Sequence, residues 1–187
     1  MMKKALLSTG IRWLWLAFLV LAIDLGSKFW VISTFELRES LNILPFFNLT
    51  YVHNIGAAFS IFEGHRWPLM AIAVLICTVL TVMLYRNSAN EKLVNIAYAV
   101  IIGGAAGNFF DRLVHGYVID FFHFYIMDWQ VPVIGVTIEN WHYPVFNVAD
   151  IAICIGAGLI IVDAIRVSRR EHYQQRQRAA AANDKEQ

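Results

Sequence analysis

Four long apolar runs, each near the length that crosses a bilayer, restrict this chain more than any other feature. They occupy about 13–32, 67–85, 93–110 and 145–167. A helix rises about 1.5 Å per residue, so about 20 apolar residues cross the hydrocarbon layer. Lipid offers no partners to backbone N–H and C=O groups, so isolated runs of this kind fold as helices. Composition agrees: 58% of the 187 residues are hydrophobic and 16% are charged, against about a quarter charged in soluble domains. The expected fold is an all-α membrane protein of four transmembrane helices. Its length suits one unit, 1–168, followed by a polar basic tail, 169–187, read as a frayed helix or a disordered segment.

Charge position sets the expected orientation. Lys3, Lys4 and Arg12 precede the first run, Arg86 and Lys92 lie in the short second loop, and Arg166, Arg169, Arg170, Arg176 and Arg178 follow the last. The first and third loops are poorer in Lys and Arg for their length. The positive-inside rule then puts both termini in the cytoplasm and the two long loops, about 33–66 and 111–144, outside. The first run carries Asp24 and Lys28 and lacks a following small-residue cleavage site, so it is expected to be a retained helix. A net charge of +1 provides no basic field for nucleic acid. Cys77 and Cys154 lie singly in apolar runs and suggest neither a disulfide framework nor a zinc site.

The informative residues are polar groups where lipid should be. Ionisable groups at membrane depth are costly and need a reason. Asp24 and Lys28, four apart, share a helix face. They read either as a mutually neutralising pair or as support for a site at the outer end of the bundle. The third run ends Gly103-Gly104-Ala105-Ala106-Gly107-Asn108-Phe109-Phe110-Asp111-Arg112. Gly103 and Gly107 form a small-xxx-small face for close helix approach. Asn108 and Arg112 share a face, and Asp111–Arg112 reads as an ion network at the membrane edge. Asp120 follows, flanked by apolar residues. Asp150 opens the fourth run behind Asn147, which fits an N-cap with an acid in the first turn.

Asp120 and Asp150 are thirty positions apart, so only tertiary packing can join them, but both fall at the outer end. Two carboxylates in an apolar site cannot both ionise easily, so the pair shares one proton. One member can then take a proton from water while the other donates to a scissile carbonyl. No metal or other cofactor is needed. His115, His123 and His142 match no zinc spacing and read as loop histidines. A small transporter or channel is the rival reading, because intramembrane charges also mark ion pathways. A non-catalytic assembly protein packing through Gly103 and Gly107 is a third.

Four blocks together resemble the lipoprotein signal peptidase (signal peptidase II) family over nearly the whole chain. They are Asp24-x-x-x-Lys28, Asn54-Ile55-Gly56-Ala57-Ala58-Phe59, Gly107-Asn108-x-x-Asp111-Arg112 with Gly116-x-Val118-x-Asp120-Phe121, and Phe146-Asn147-x-Ala149-Asp150. The resemblance implies an aspartic endopeptidase of the bacterial inner membrane with Asp120 and Asp150 as its catalytic pair. It implies that Asn54, Gly56, Asn108, Arg112 and Asn147 line and brace the site, with Asp24 and Lys28 in support. It implies a small extracytoplasmic β-like cradle between the first and second helices. The substrate would be a prolipoprotein already carrying a diacylglyceryl group, cleaved just before the lipidated cysteine. Membrane lipids would be the other partner, and the enzyme would act as a monomer. The stretch between Asp120 and Phe146, which includes Val131 to Trp141, is longer than is usual in the family. It reads as a loop or short hairpin, over the site as a lid or on the membrane surface.

Overall fold

A computed structural model of the chain describes residues 8–56, 64–126, 129–131, 136–138 and 141–186, the side chains among them only in 8–56, 64–126 and 141–177. Among these, four helices are long and apolar enough to cross a membrane. They are α1 (Leu14–Thr34, entered through a 3-10 turn, Gly10–Trp13), α2 (Arg66–Arg86), α3 (Lys92–Val114) and α4 (Val148–Glu186). Half of the α3 span is buried, against 17–22% in the other three. This makes α3 the central element on which the others pack.

Small residues allow that packing. A Cβ on Gly103 would lie 2.6 Å from the Ala17 carbonyl of α1, and one on Gly104 would lie 2.5 Å from the Ala149 carbonyl of α4. A Cβ on Gly107 would strike the Asp24 carboxylate. Gly103 and Gly107 thus serve the close approach that their spacing suggests. Outward faces are apolar instead: Phe18 is 69% exposed, Phe29 74% and Leu75 62%. In water such a surface would aggregate, whereas in lipid it is the ordinary exterior.

Short strands fill the two long loops: β1 (Ser40–Leu44), β2 (Phe47–Asn54), β3 (Val118–Ile126), β4 (Trp129–Val131), β5 (Val136–Ile138) and β6 (Trp141–His142). An antiparallel sheet runs in the order β1-β2-β3-β6. The expected cradle drew on the first loop alone. Here the second long loop supplies two of the four strands, and β3 is longer than either strand of the first loop. Val, Ile, Phe and Tyr dominate β3, and Ile119 and Phe121 pack with Val31, Phe35 and Tyr51 against the end of α1. These strands also mean that the all-α description covers only the membrane-spanning part.

β4 and β5 form the hairpin expected in the longer stretch, pairing Trp129 with Ile138 and Val131 with Val136. Its turn, 132–135, lies outside the described residues, as do Lys3, Lys4 and the Ala57-Ala58-Phe59 end of the second block. The polar tail does not begin at a break, because α4 continues as one helix to Glu186.

Candidate active site

Three connections bring Asp120 and Asp150 together. Along β2 and β3, Asn54 lies opposite Val118 and Val52 opposite Asp120. Asn54 and Asp120 are therefore diagonal neighbours on one face of the sheet. Phe146 bonds back to β3: its carbonyl accepts from Phe121 N (3.1 Å) and Phe122 N (2.8 Å), and its N–H donates to the Phe122 carbonyl (3.1 Å). That ties the residue before Asn147 to β3 beside Asp120. The close packing of α3 on α4 at Gly104 then holds the α4 N-terminus against the end of α3.

Asn147 caps α4 in a reciprocal arrangement. Its Oδ1 accepts from Asp150 N (3.0 Å), while Asp150 Oδ2 accepts from Asn147 N (3.2 Å). This is a capping box with an acidic residue in the reaching position. The capping reading of Asp150 therefore holds, and it does not exhaust the residue. Asp150 Oδ1 also accepts from Asn108 Nδ2 (2.8 Å). Asn147 meanwhile donates through Nδ2 to Asp120 Oδ1 (2.7 Å) and to Asn108 Oδ1 (3.1 Å). One buried amide thus touches both aspartates.

Asp120 is 2% exposed and accepts through its other oxygen from Asn54 Nδ2 (2.8 Å). Burial, followed by the nearby Asp150 carboxylate, pushes its pKa up to about 7, against the opposing pull of the Asn54 and Asn147 hydrogen bonds. A carboxyl with a raised pKa beside a second carboxyl that accepts from two N–H donors is an arrangement in which a pair can share one proton.

Bracing groups surround the pair. Asn54 Oδ1 accepts from Gly56 N (3.0 Å), and the Gly56 carbonyl accepts from Arg112 Nη2 (2.8 Å). Arg112 Nη1 donates to the Asn108 carbonyl (3.2 Å). Gly56 thus acts through its backbone, as a clasp between the β2 end and α3. On a neighbouring face of α3, Lys28 Nζ lies 2.8 Å from both Asp24 Oδ2 and Asp111 Oδ2, and donates to Asn108 Oδ1 (3.1 Å). Asp24 Oδ1 accepts from Ala149 N (2.9 Å) at the α4 N-terminus, where the helix dipole favours an anion. Asp111 Oδ2 accepts from Ile119 N (3.1 Å). Lys28, Asp24 and Asp111 are each at most 1% exposed. Removing one partner of such a buried set costs about 3–5 kcal/mol.

Two sequence readings change here. Asp111 and Arg112 are adjacent, so they diverge by about 100° around the helix. They belong to separate networks, Asp111 with Lys28 and Arg112 with backbone carbonyls. Asp111 was also missed as a member of the site's support. The signal was available: positions 103, 107 and 111 form one stripe, and that stripe faces α1. The histidines have local partners, His123 with Thr50 (3.1 Å) and His142 (3.0 Å), and His115 stacked near Tyr117. Among the described residues, no group of three or more His, Cys, Asp or Glu is placed to hold a metal ion.

A cavity of about 830 Å³ opens over the pair. Asn54, Gly56, Asn108, Arg112, Asp120 and Asp150 line its polar end. Val145, Phe146, Ile151 and Ile155 supply an apolar wall that runs down α4.

Known proteins place this architecture in context. A family model described as signal peptidase (SPase) II matches residues 16–166. The chain is 56% identical over 167 residues to the lipoprotein signal peptidase of Photorhabdus laumondii, covering 87% of this chain and 93% of that protein. It is 52% identical over 166 residues to that of Yersinia pestis, covering 87% and 91%. Two solved structures, titled as a bacterial membrane enzyme determined by the in meso method at 2.3 Å and 1.9 Å resolution, share the fold. They give TM-scores of 0.71 and 0.65 at 27% and 28% identity, covering 84% and 81% of this chain and 89% and 90% of theirs.

Proposed function

The chain belongs to the signal peptidase II family, and we propose that Asp120 and Asp150 are the pair with which it hydrolyses the peptide bond. It is a multi-pass protein of the bacterial inner membrane that acts as a lipoprotein signal peptidase, an aspartic endopeptidase. The transporter or channel alternative is not favoured, because the family is enzymatic and, among the described residues, the buried ionisable groups gather at one end of the bundle. One observation carries the residue assignment. Asn147 donates to both carboxylates at once, through its side-chain Nδ2 to Asp120 and its backbone N–H to Asp150, at the polar end of a cavity whose other wall is apolar.

The chemistry follows from the unequal surroundings. Asp150 begins ionised and takes a proton from water as the water oxygen attacks the scissile carbonyl carbon. Asp120 begins protonated and gives its proton to the carbonyl oxygen. The tetrahedral species then collapses: Asp120 recovers a proton from the new hydroxyl, and Asp150 gives its proton to the leaving nitrogen. The pair ends with the one proton it started with. Arg112 and Gly56 hold the β2 end across the site, and Asn54 and Asn147 keep Asp120 aimed at the cavity. The apolar wall along α4 suits a substrate whose cysteine carries acyl chains and whose signal peptide lies in the bilayer.

The same reading puts both termini in the cytoplasm, with the sheet and the pair at the periplasmic face. The positions of Arg12, Arg86, Lys92, Arg166, Arg169 and Arg170 support it. Residues 1–168 act as one monomeric unit among membrane lipids, with 169–187 as a basic extension.

Cleavage of a diacylglyceryl-modified prolipoprotein by purified wild type, Asp120→Asn and Asp150→Asn tests the pair. Asparagine keeps size and most hydrogen bonds but cannot act as acid or base. Each variant is expected to stay folded and lose at least about 1,000-fold in kcat. Near-wild-type turnover in either would assign that residue to structure alone.

A further inference from the structure

Lys28 is a fully buried cation that the reaction scheme above does not use. Its ammonium has three N–H groups and no acceptor. All three are taken, by Asp24 Oδ2, Asp111 Oδ2 and Asn108 Oδ1. The last contact carries information, because an amide has one accepting end and one donating end. Whatever faces Lys28 must be the oxygen of Asn108. Nδ2 is then compelled to face Asp150, to which it donates.

The constraint passes on. With its oxygen turned inward, Asn108 can only accept from Asn147, so Asn147 must present Nδ2 there. The second N–H of the same Nδ2 reaches Asp120 Oδ1, and Asn147 Oδ1 is left to accept from Asp150 N. The two amides are locked in one sense from both ends, by Lys28 at Asn108 Oδ1 and by the Asp150 backbone N–H at Asn147 Oδ1, with donors toward both carboxylates. Nothing else in direct contact with Asn108 Oδ1 is purely a donor.

We propose that Lys28 is a positioning residue for the hydrolysis: by holding Asn108 Oδ1 it fixes the amide that donates to Asp150 and steadies that amide's contact with Asn147, which donates to Asp120. The inference rests on the assignment of those two aspartates as the reacting pair. Without Lys28, Asn108 loses its charged anchor and its amide is free to swing away from Asp150. Asp150 would then be less well held as the base, while the apolar wall of the cavity along α4 would be untouched.

The contrast between Lys28→Met and Asp111→Asn separates this role from plain stability. Both break the buried ion cluster, but only the first frees Asn108. Lys28→Met is expected to lower kcat about 100-fold with KM within about twofold of wild type. It also removes a nearby positive charge and loosens the Asn147 donor, both of which favour ionised Asp120. The alkaline limb of its kcat profile therefore moves to higher pH. Asp111→Asn keeps an oxygen for Ile119 N beside Asp120 and leaves Lys28 on Asn108, so its kcat loss is expected to be at least about tenfold smaller than that of Lys28→Met, with its limb nearer to wild type. If Lys28→Met fails to fold, the double variant Lys28→Met/Asp111→Asn, which removes an uncompensated carboxylate, is compared with Asp111→Asn.

Equal kcat and equal pH limbs for the lysine-lacking variant and Asp111→Asn would overturn the proposal and leave Lys28 a structural ion partner. Failure of the underlying pair assignment looks different. In that case Asp120→Asn or Asp150→Asn retains cleavage, whatever Lys28→Met does.

Discussion

Two fully buried asparagines sit near opposite ends of α3, and they do different things. Asn95 lies where α1, α2 and α3 meet, away from the sheet. It donates to the Ser88 carbonyl (2.7 Å), accepts from Asn87 Nδ2 (3.2 Å) and packs against Gly10. Every partner is neutral, and the cluster closes on backbone, stitching the start of the chain to the α2–α3 turn through Gly10 N–Asn87 O (3.1 Å) and Ala89 N–Ser8 O (3.0 Å). About 20 Å along α3, Asn108 meets Asn147 in a cluster whose bonds end on two carboxylates facing a cavity. Both clusters are buried and hydrogen-bonded. What separates a fastener from a working site is where the chain of donors terminates.

The largest effect that tests this contrast is on turnover. Asn147→Ala removes a donor to Asp120 and the cap that positions Asp150, and kcat is expected to fall about 100- to 1,000-fold. Asn95→Ala leaves a buried carbonyl and an amide short of partners. It should cost about 1–3 kcal/mol of stability, read as a lower unfolding midpoint in detergent, with kcat unchanged. A turnover loss for Asn95→Ala comparable to that for Asn147→Ala would erase the distinction.

Glycines sharpen the same comparison at smaller magnitude. A Cβ on Gly107 would strike the Asp24 carboxylate, and one on Gly10 would come within 2.6 Å of Asn95 Oδ1. Gly107→Ala should displace Asp24 from Lys28 and from Ala149 N, lowering both stability and turnover, the latter about tenfold by a small misplacement of the pair. Gly10→Ala should lower stability alone. Melting curves and cleavage rates on the two variants decide it.

How much of this was readable in advance differs between the regions in the same way. The helices were legible because lipid imposes a length and an apolar content that few other constraints mimic. The Gly103/Gly107 face was legible because close helix approach demands small residues at that spacing. Asp120 and Asp150 stood out as charges among apolar neighbours. Asn95 gave no such signal, since a lone amide at a helix start reads as an ordinary surface residue until Asn87 and Ser88 meet it across the turn. The joining of β2 to β3 was hidden as well. It depends on register between loops that are far apart in sequence, and hydrophobic alternation in short strands does not name a partner. Asp111 was assigned to its sequence neighbour Arg112, although the stripe through 103, 107 and 111 points it at α1.

The smallest expected effect concerns Asn54, the one amide that reaches the pair from the sheet and not through α3 or α4. Its Nδ2 donates to Asp120 Oδ2 and so favours the ionised carboxylate. The proposed scheme starts from protonated Asp120, so kcat should fall as pH rises through about 7, the pKa to which burial and Asp150 push this group. Removing the Asn54 donor removes a contribution that lowers the pKa. The proton is then held to higher pH, and the alkaline limb of Asn54→Ala should move upward by about one unit. The sign is diagnostic. If Asn54 only closed the β2 end over substrate, the variant would raise KM and leave the limb in place. A downward movement would mean that Asn54 favours the neutral acid, with its amide turned so that oxygen faces Asp120. That orientation would free Gly56 N from Oδ1 and undo the clasp to Arg112. A pH–kcat series on Asn54→Ala therefore reports on the direction of the amide as well as on its presence.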